Sequence, residues 1–149
     1  MITQFEKCFI DTNVLIYASY EVFDFHKTAI EALKSMYDFY VNRQVFLEFY
    51  NVSTSNKVLS ETSVPTVIRV MKNYSLKYKC LEENQYNVEE LLSKIELYKI
   101  KGKDVFDIKI YLDMKYNNIT KILTANEDDF KIFPEIEIIN PFKKDDTTK

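Results

Sequence analysis

The chain has 149 residues, a formal net charge of −3 at pH 7, two cysteines and a single glycine. A chain of this length folds as one domain that buries about two-thirds of its unfolded surface. Its net negative charge argues against a protein that coats nucleic acid through long-range electrostatic attraction. One glycine is too few for the glycine-rich loops of Walker-type and dinucleotide-binding sites, so those classes are excluded.

Five short apolar runs predict β-strands, at Phe5–Ile10, Phe39–Val41, Lys79–Leu81, Lys121–Leu123 and Glu137–Ile139. Stretches of helical length lie between them. This alternation is typical of a parallel sheet, because parallel neighbours need long crossover connections, which helices provide. We therefore predict an α/β fold, a three-layer sandwich in which helices flank a central parallel sheet of about five strands.

The clearest helix is predicted at Tyr86–Lys101, with Gly102 as its stop signal. Its apolar residues follow the i, i+3, i+4, i+7 spacing of one helical face: Val88, Leu91, Leu92, Ile95 and Tyr98. The span from Gln44 to Tyr78 is long enough for two helices, with a break near the segment that ends at Pro65. We expect this helical pair to form one wall of a cleft.

No repeat, linker or low-complexity segment divides the chain. Residues 1–142 are therefore predicted to form a single domain, and residues 143–149 a polar C-terminal tail. Cys8 and Cys80 have no paired spacing, which predicts buried free thiols in a reducing cytoplasm. The sequence shows neither a signal peptide nor an apolar run of roughly 20 residues, so we expect a cytoplasmic protein without membrane contact.

The first polar anomaly is the stretch CFIDTNVLIYA, in which Asp11, Thr12 and Asn13 interrupt an apolar run directly after the first predicted strand. Each of the three is a good helix N-cap, since its side-chain oxygen accepts a hydrogen bond from an otherwise unpaired backbone N–H. The C-terminal ends of strands are also where open α/β sheets place their ligand sites. Both interpretations are open at this point.

Glu48 is the second anomaly, because it lies within an apolar helical stripe formed by Val45, Phe49 and Val52. Either it lies at the edge of the stripe with its carboxylate in water, or it is buried. A buried carboxylate needs a cation, since an unpaired one is too costly to keep ionised.

Asp107 shares a predicted helical face with Ile110, Tyr111 and Met114 and falls in the first turn of that helix. An acid in this position interacts favourably with the helix dipole. Asp104 is the better candidate for the cap of the same helix, which leaves Asp107 as a surplus charge.

A further acidic group follows the fourth predicted strand in the stretch LTANEDDF, which includes Asp129. Bringing acids from these separate segments together is unfavourable, since two like charges about 6 Å apart repel by roughly 3 kcal/mol at an effective dielectric of 20. Bound divalent cations make the same arrangement of acids favourable, and all-oxygen ligands without a Cys/His set favour Mg²⁺ or Mn²⁺ over zinc.

The lone His26 is interpreted as a surface or cap residue at a helix start, and no Ser-His-Asp arrangement indicates nucleophilic catalysis.

The order and context of these residues resemble the PIN-domain ribonucleases, and in particular the toxins of VapBC-type toxin–antitoxin pairs. The match runs nearly end to end. FIDTNVLIYA resembles the opening strand and first acid of the family, QVFLEFYNV its second motif, VFDIKIYLDMKYNNITKILTANEDDFKIF its closing motifs and IEIINPF its last strand.

The resemblance implies a pocket at the C-terminal ends of the strands, in which acids bind Mg²⁺ or Mn²⁺ and cut single-stranded or looped RNA. Carried over by position, the catalytic and metal-binding acids are Asp11, Glu48, Asp107 and Asp129, and the supporting residues are Thr12, Asn13, Thr124 and Asn126. Asp104 is an alternative to Asp107 as the third acid. The resemblance also implies a homodimer and a small antitoxin partner, a segment or basic side chain of which enters the cleft.

The implied reaction is hydrolysis by a metal-activated water that attacks phosphorus in line, without a covalent intermediate. The acids are flanked by basic residues, which either contact RNA phosphates or are ordinary solvated side chains: Lys101, Lys103, Lys109 and Arg43.

A haloacid-dehalogenase-like phosphatase is a rival interpretation, but it would need a second acid where this chain has Asn13. The main alternative is a catalytically inactive PIN-fold module that binds RNA or protein, against which the intact set of acids argues.

Overall fold

A five-stranded sheet forms the centre of the structure, a computed structural model that describes residues 4–59 and 61–143. Its strands are β1 (Lys7–Ile10), β2 (Asp38–Val41), β3 (Lys79–Cys80), β4 (Lys121–Leu123) and β5 (Glu137–Ile139). All five correspond to predicted strands, and the last two have the predicted bounds. The predicted α/β sandwich with a central parallel sheet is confirmed.

The order of the strands is β3-β2-β1-β4-β5, and every neighbouring pair is parallel. The chain builds outward from β1 to β3 and then crosses to the other side of β1 to add β4 and β5. This reversal places a crevice between the C-terminal ends of β1 and β4, where open α/β sheets bind ligands. Because β1 is central and covered on both faces, Cys8, Phe9 and Ile10 are all fully buried.

Six α-helices accompany the sheet within the described residues: α1 (Thr12–Ser19), α2 (His26–Leu33), α3 (Arg43–Ser55), α4 (Val64–Lys77), α5 (Val88–Tyr98) and α6 (Val105–Tyr116). In one group, α1 packs against α2 and α3, and α3 packs against α4, whereas α5 packs against α6. The two helices predicted between Gln44 and Tyr78 are confirmed as α3 and α4. Ser63 caps α4 by accepting a hydrogen bond from the Thr66 backbone N–H at 3.3 Å, and Pro65 lies in the first turn.

The end of α5 differs from the prediction. The helix stops at Tyr98, where Lys99 takes the left-handed conformation with φ of 53°. The Lys99 N–H donates to Glu96 O and the Ile100 N–H to Ile95 O, each at 3.2 Å, which is the Schellman pattern of helix termination. Gly102 is therefore not the stop signal, and it begins a 3₁₀ turn that leads into α6.

The apolar face predicted for α5 is confirmed only in part. Leu91, Ile95 and Tyr98 pack against the core, but Val88 and Leu92 are exposed. The helix lies at the surface with no fully buried residue, so a narrower stripe than predicted faces inward.

The two cysteines have different environments. Cys8 is buried in β1, as predicted, whereas Cys80 is exposed because β3 is a two-residue strand at the edge of the sheet. Both are free thiols.

No helix in the described part of the chain has the length and apolar character needed to cross a membrane. Of the predicted polar tail, residues 144–149 lie outside the described residues.

A buried polar network joins the N-terminus of α3 to α6. Asp113, which is fully buried, accepts hydrogen bonds from Lys109 Nζ at 2.6 Å, the Asn84 backbone N–H at 3.1 Å and Asn42 Nδ2 at 3.4 Å. Lys109 Nζ also donates to Glu83 Oε1 at 2.8 Å. Lys109 is thus engaged in ion pairs and is not the ordinary solvated side chain that one interpretation of the sequence expected.

Asn42 tests how much this network stabilises the fold. Its side chain caps α3 by accepting from the Val45 backbone N–H at 2.9 Å and donates to Asp113 at the same time. Replacing Asn42 with Ala should lower the free energy of unfolding by about 2–3 kcal/mol, since a cap is lost and a buried carboxylate loses a donor. Asn87→Ala, which removes only the exposed cap of α5, should cost about 1 kcal/mol in the same urea titration. Equal losses would show that the Asn42–Asp113 contact contributes nothing.

Candidate metal centre

The crevice beside β1 and β4 is bordered by the polar turns that follow these two strands. Asp11 comes directly after β1, and its backbone N–H donates to the Leu123 carbonyl of β4 at 3.0 Å. Asp11 is only 7% exposed. The acid is therefore anchored to the sheet by its own backbone.

Hydrogen bonds fix both carboxylate oxygens of Asp11. Oδ1 accepts from the Thr12 backbone N–H at 2.8 Å, and Oδ2 accepts from Thr124 Oγ1 at 2.8 Å and Asn13 Nδ2 at 3.2 Å. Asn13 Oδ1 in turn accepts from the Ala125 backbone N–H at 3.1 Å. Asp11 occupies the N-cap position of α1 and also lines a cavity with other acids, so the two interpretations of this stretch are compatible.

Glu48 is held from two sides. Thr12 Oγ1 donates to Glu48 Oε2 at 2.8 Å, and Gln44 Nε2 donates to Glu48 Oε1 at 2.8 Å. The side chain is half-buried and its carboxylate faces a cavity, so it does not extend freely into solvent from the edge of the helical stripe. Thr12 therefore links two acids of the site, through its backbone N–H to Asp11 and through its hydroxyl to Glu48.

Asp104, Asp107 and Asp129 form a group in which one carboxylate oxygen from each lies within 4.8 Å of the others. The expectation that Asp104 caps α6 is wrong, because its side chain makes no capping hydrogen bond. The backbone explains this difference. Asp104 is already helical, with φ of −64° and ψ of −14°, whereas a capping residue such as Asn42 has extended backbone with ψ of 176°.

The acids raise one another's pKa values. Burial, followed by the charges of Asp129, Asp11, Asp104 and Glu48, raises the pKa of Asp107 to about 7. Burial raises the pKa of Asp11 to about 6, although its hydrogen bonds with Thr124 and Thr12 oppose the shift. Burial and the Asp104 charge also raise the pKa of Asp129. The centre therefore disfavours its own ionised state, and a bound cation would relieve this cost.

All four acids predicted from sequence, Asp11, Glu48, Asp107 and Asp129, line one cavity of about 590 Å³ together with Thr12, Asn13 and Asn126. An adjoining cavity of about 580 Å³ shares three of these acids and adds Asp104 and Phe106 to its wall. Thr124 is fully buried beneath the site, where its hydroxyl accepts from the Asn126 backbone N–H at 3.0 Å. Asn126 is exposed at the cavity wall.

The donor set suits a hard divalent cation. Carboxylate and amide oxygens line the 590 Å³ cavity, and no histidine or cysteine belongs to the lining described for it. Oxygen ligands of this type are those that Mg²⁺ and Mn²⁺ prefer. His26 instead begins α2, as expected, and its Nδ1 lies 2.8 Å from Tyr17 O.

The sequence analysis gave Asp104 two interpretations, as the cap of α6 and as an alternative to Asp107, but it did not place Asp104 and Asp107 together in the site. It did not identify Gln44. Gln44 carried a weak signal, which is its i, i+4 spacing from Glu48 on α3.

The raised pKa values predict the pH dependence of stability in the metal-free protein. Asp107 and Asp11, with pKa values of about 7 and about 6, bind protons more tightly in the folded chain than in the unfolded chain, where an aspartate titrates near 3.8. Their contribution to the free energy of unfolding should therefore decrease as pH rises from about 4 to about 7. Urea titrations in EDTA at pH 5 and pH 7.5 should show a smaller decrease for Asp107→Asn than for the wild type. An identical decrease would contradict the raised pKa of Asp107.

Comparisons with known proteins identify the family of this fold. The family model described as the PIN domain matches residues 8–136. Among solved structures, a toxin–antitoxin complex from Klebsiella pneumoniae superposes with a TM-score of 0.65 at 18% identity, covering 92% of this chain and 99% of that one. No curated protein sequence matches the chain significantly.

Two further structures have the same fold. VapBC2 from Rickettsia felis, bound to a DNA fragment from its promoter, has a TM-score of 0.63 at 17% identity and covers 90% of this chain and 98% of that one. VapC20 from Mycobacterium tuberculosis, described as a sarcin-ricin loop cleaving toxin, has a TM-score of 0.61 at 12% identity and covers 77% and 86%. The family model spans most of the chain, and the chain belongs to the PIN domain family.

Proposed function

We propose that this protein is a divalent-metal-dependent endoribonuclease that acts as the toxin of a toxin–antitoxin pair. The observation that carries the proposal is the placement of Asp11, Glu48, Asp107 and Asp129 around one cavity in a PIN-family chain. The RNA-cleaving description of the similar VapC20 toxin supports the choice of substrate.

The residues that would hold Mg²⁺ or Mn²⁺ are Asp11, Glu48, Asp107 and Asp129, with Asp104 as a further oxygen donor. A bound ion would supply an activated water and neutralise charge that develops on the phosphate oxygens. The chain itself orients the donors. Thr12 restrains Asp11 and Glu48 together, and Thr124 and Asn13 restrain Asp11 from the other side.

The rim of the site suits a single RNA strand. Lys103 lines both cavities and is exposed, so its ammonium group can approach a phosphate. Phe106 is 58% exposed in the wall of the 580 Å³ cavity, where its ring offers a stacking surface for a base. Asn126 adds a side-chain amide at the same wall. A phosphate at the acids would thus have a cation and an aromatic ring beside it.

Two protein partners belong to the proposal. An antitoxin is supported by the similar structure from Klebsiella pneumoniae, which is described as a toxin–antitoxin complex. A homodimer is supported by apolar side chains that the described surface leaves exposed on α4 and α5, including Leu76 at 88% and Val88 at 68%. We place this activity in the cytoplasm, where RNA and a reducing environment for the two free thiols are both present.

Co-expression tests the antitoxin. When the chain is expressed with the product of the adjacent gene, the two proteins should co-purify, because a basic side chain inserted among the acids offsets their repulsion as a cation does. Growth of the host should be inhibited when the chain is expressed alone and restored by the partner. A chain that purifies alone and leaves growth unaffected would contradict the toxin role.

Asp11→Asn tests the catalytic assignment. Asn caps a helix about as well as Asp, so the fold should persist, and the metal-free melting temperature should rise because a buried charge in a repelling cluster is removed. Cleavage of a defined RNA in Mn²⁺ should decrease by about 100-fold or more, which is about 2.7 kcal/mol of barrier. Asp38→Asn is the matched control. Asp38 is the first residue of β2, so it lies at the N-terminal end of the strands, away from the acids, and its replacement should leave cleavage unchanged. Full cleavage by folded Asp11→Asn would reduce Asp11 to a structural cap, and a wild type that binds RNA without cutting it would be an inactive binding module.

A further inference from the structure

Gln44 lies one helical turn before Glu48 on α3, with its side-chain amide between Glu48 and the start of α6. Its Nε2 donates to Glu48 Oε1 at 2.8 Å and to the Phe106 backbone carbonyl at 3.3 Å. Phe106 precedes Asp107 in the chain. One amide group therefore contacts an acid on one helix and the backbone next to an acid on another.

The surrounding acceptors determine the orientation of this amide. If the group were turned around, Gln44 Oε1 would face the Glu48 carboxylate and the Phe106 carbonyl, and no proton would lie between these oxygens. In the observed orientation Gln44 Oε1 is buried and has no hydrogen-bond partner among the described residues. A buried acceptor without a donor is unfavourable. The arrangement thus preserves the hydrogen bond from Gln44 Nε2 to Glu48 and leaves Gln44 Oε1 without a donor.

The consequence for Glu48 is a fixed carboxylate. A glutamate on a helix surface has three rotatable side-chain bonds and samples several rotamers. Here Gln44 holds Oε1 from the same helix, and Thr12 holds Oε2 from α1. The second hydrogen bond of Gln44 joins this restrained carboxylate to the first turn of α6, which carries Asp107.

We propose that Gln44 is a positioning residue, which orients the Glu48 carboxylate and sets its placement relative to Asp107 for binding a divalent cation. This inference rests on the proposed function. Residues that restrain metal ligands typically change metal affinity by about 10- to 100-fold when they are lost. Gln44 acts through Glu48 and not on the substrate, so its replacement should change metal binding first.

The test is Mn²⁺ binding to purified protein, measured by titration calorimetry without RNA. Gln44→Met keeps a side chain of similar length and removes the amide, and it should raise the Kd for Mn²⁺ about tenfold. The metal-free melting temperature should change little. At saturating Mn²⁺, kcat for RNA cleavage should return toward the wild-type value and KM for RNA should be unchanged, a recovery that damage to the fold would not allow.

Gln85→Met is the matched control. Gln85 Nε2 also donates to a glutamate three residues away, Glu82 Oε2 at 2.7 Å, but this pair is exposed and lines neither acidic cavity. Its Kd for Mn²⁺ should equal that of the wild type. Gln44→Ala provides a second variant that removes the amide without adding bulk, and it should reproduce the weaker binding of Gln44→Met.

The possible outcomes separate the two proposals. Unchanged Mn²⁺ affinity in folded Gln44→Met or Gln44→Ala would overturn the positioning role, as would unfolding of both variants, which would assign Gln44 to the structure of α3. A wild type that binds Mn²⁺ but does not cut RNA would overturn the proposed function, while weaker Mn²⁺ binding by the Gln44 variants would still support the positioning role. A wild type that binds no Mn²⁺ would overturn both.

Discussion

Repulsion among carboxylates is the constraint on which the crevice depends. Seven acids from four segments of the chain border the two adjoining cavities, and a metal-free fold must hold them there against their own charge. The opposing forces are visible in the structure. The Asp11 backbone is anchored to the buried Leu123 of β4. Glu48 is held by two side-chain donors, and Asp107 by a helix in which six of the following residues are buried. The core thus stabilises an arrangement that electrostatics alone would disperse.

The hydrogen bonds at the site show a division of labour among uncharged residues. Thr12, Asn13 and Thr124 donate to acids without adding a positive charge. A lysine or arginine in these positions would neutralise the cluster permanently and compete with a metal ion. Neutral donors orient the oxygens and leave the negative charge available. The ion pairs of Lys109 are directed instead at Glu83 and Asp113.

The fold could be predicted because short-range patterns encode it, since apolar runs alternate with helical stretches. The four acids could be predicted because Asp11, Glu48 and Asp107 stand out from apolar surroundings and the family resemblance added Asp129. The errors concern properties that residue type does not determine. Asp104 fails to cap α6 because its backbone is helical, and Lys99 ends α5 because Schellman bonds select its left-handed conformation. The partners of Lys109 come from distant segments, and a single sequence gives no signal for such contacts.

The strand order has a consequence for the life of the nascent chain. Thr124 and Asp11 are hydrogen-bonded across 113 positions of sequence, because β1 pairs with β4 and not only with its early neighbour β2. An N-terminal fragment can pair β1 with β2 and still lack Asp107, Asp129 and the strand that supports Asp11. The acidic centre therefore assembles only after synthesis has passed β4 and Asp129. Translation products that end before these residues carry no assembled centre.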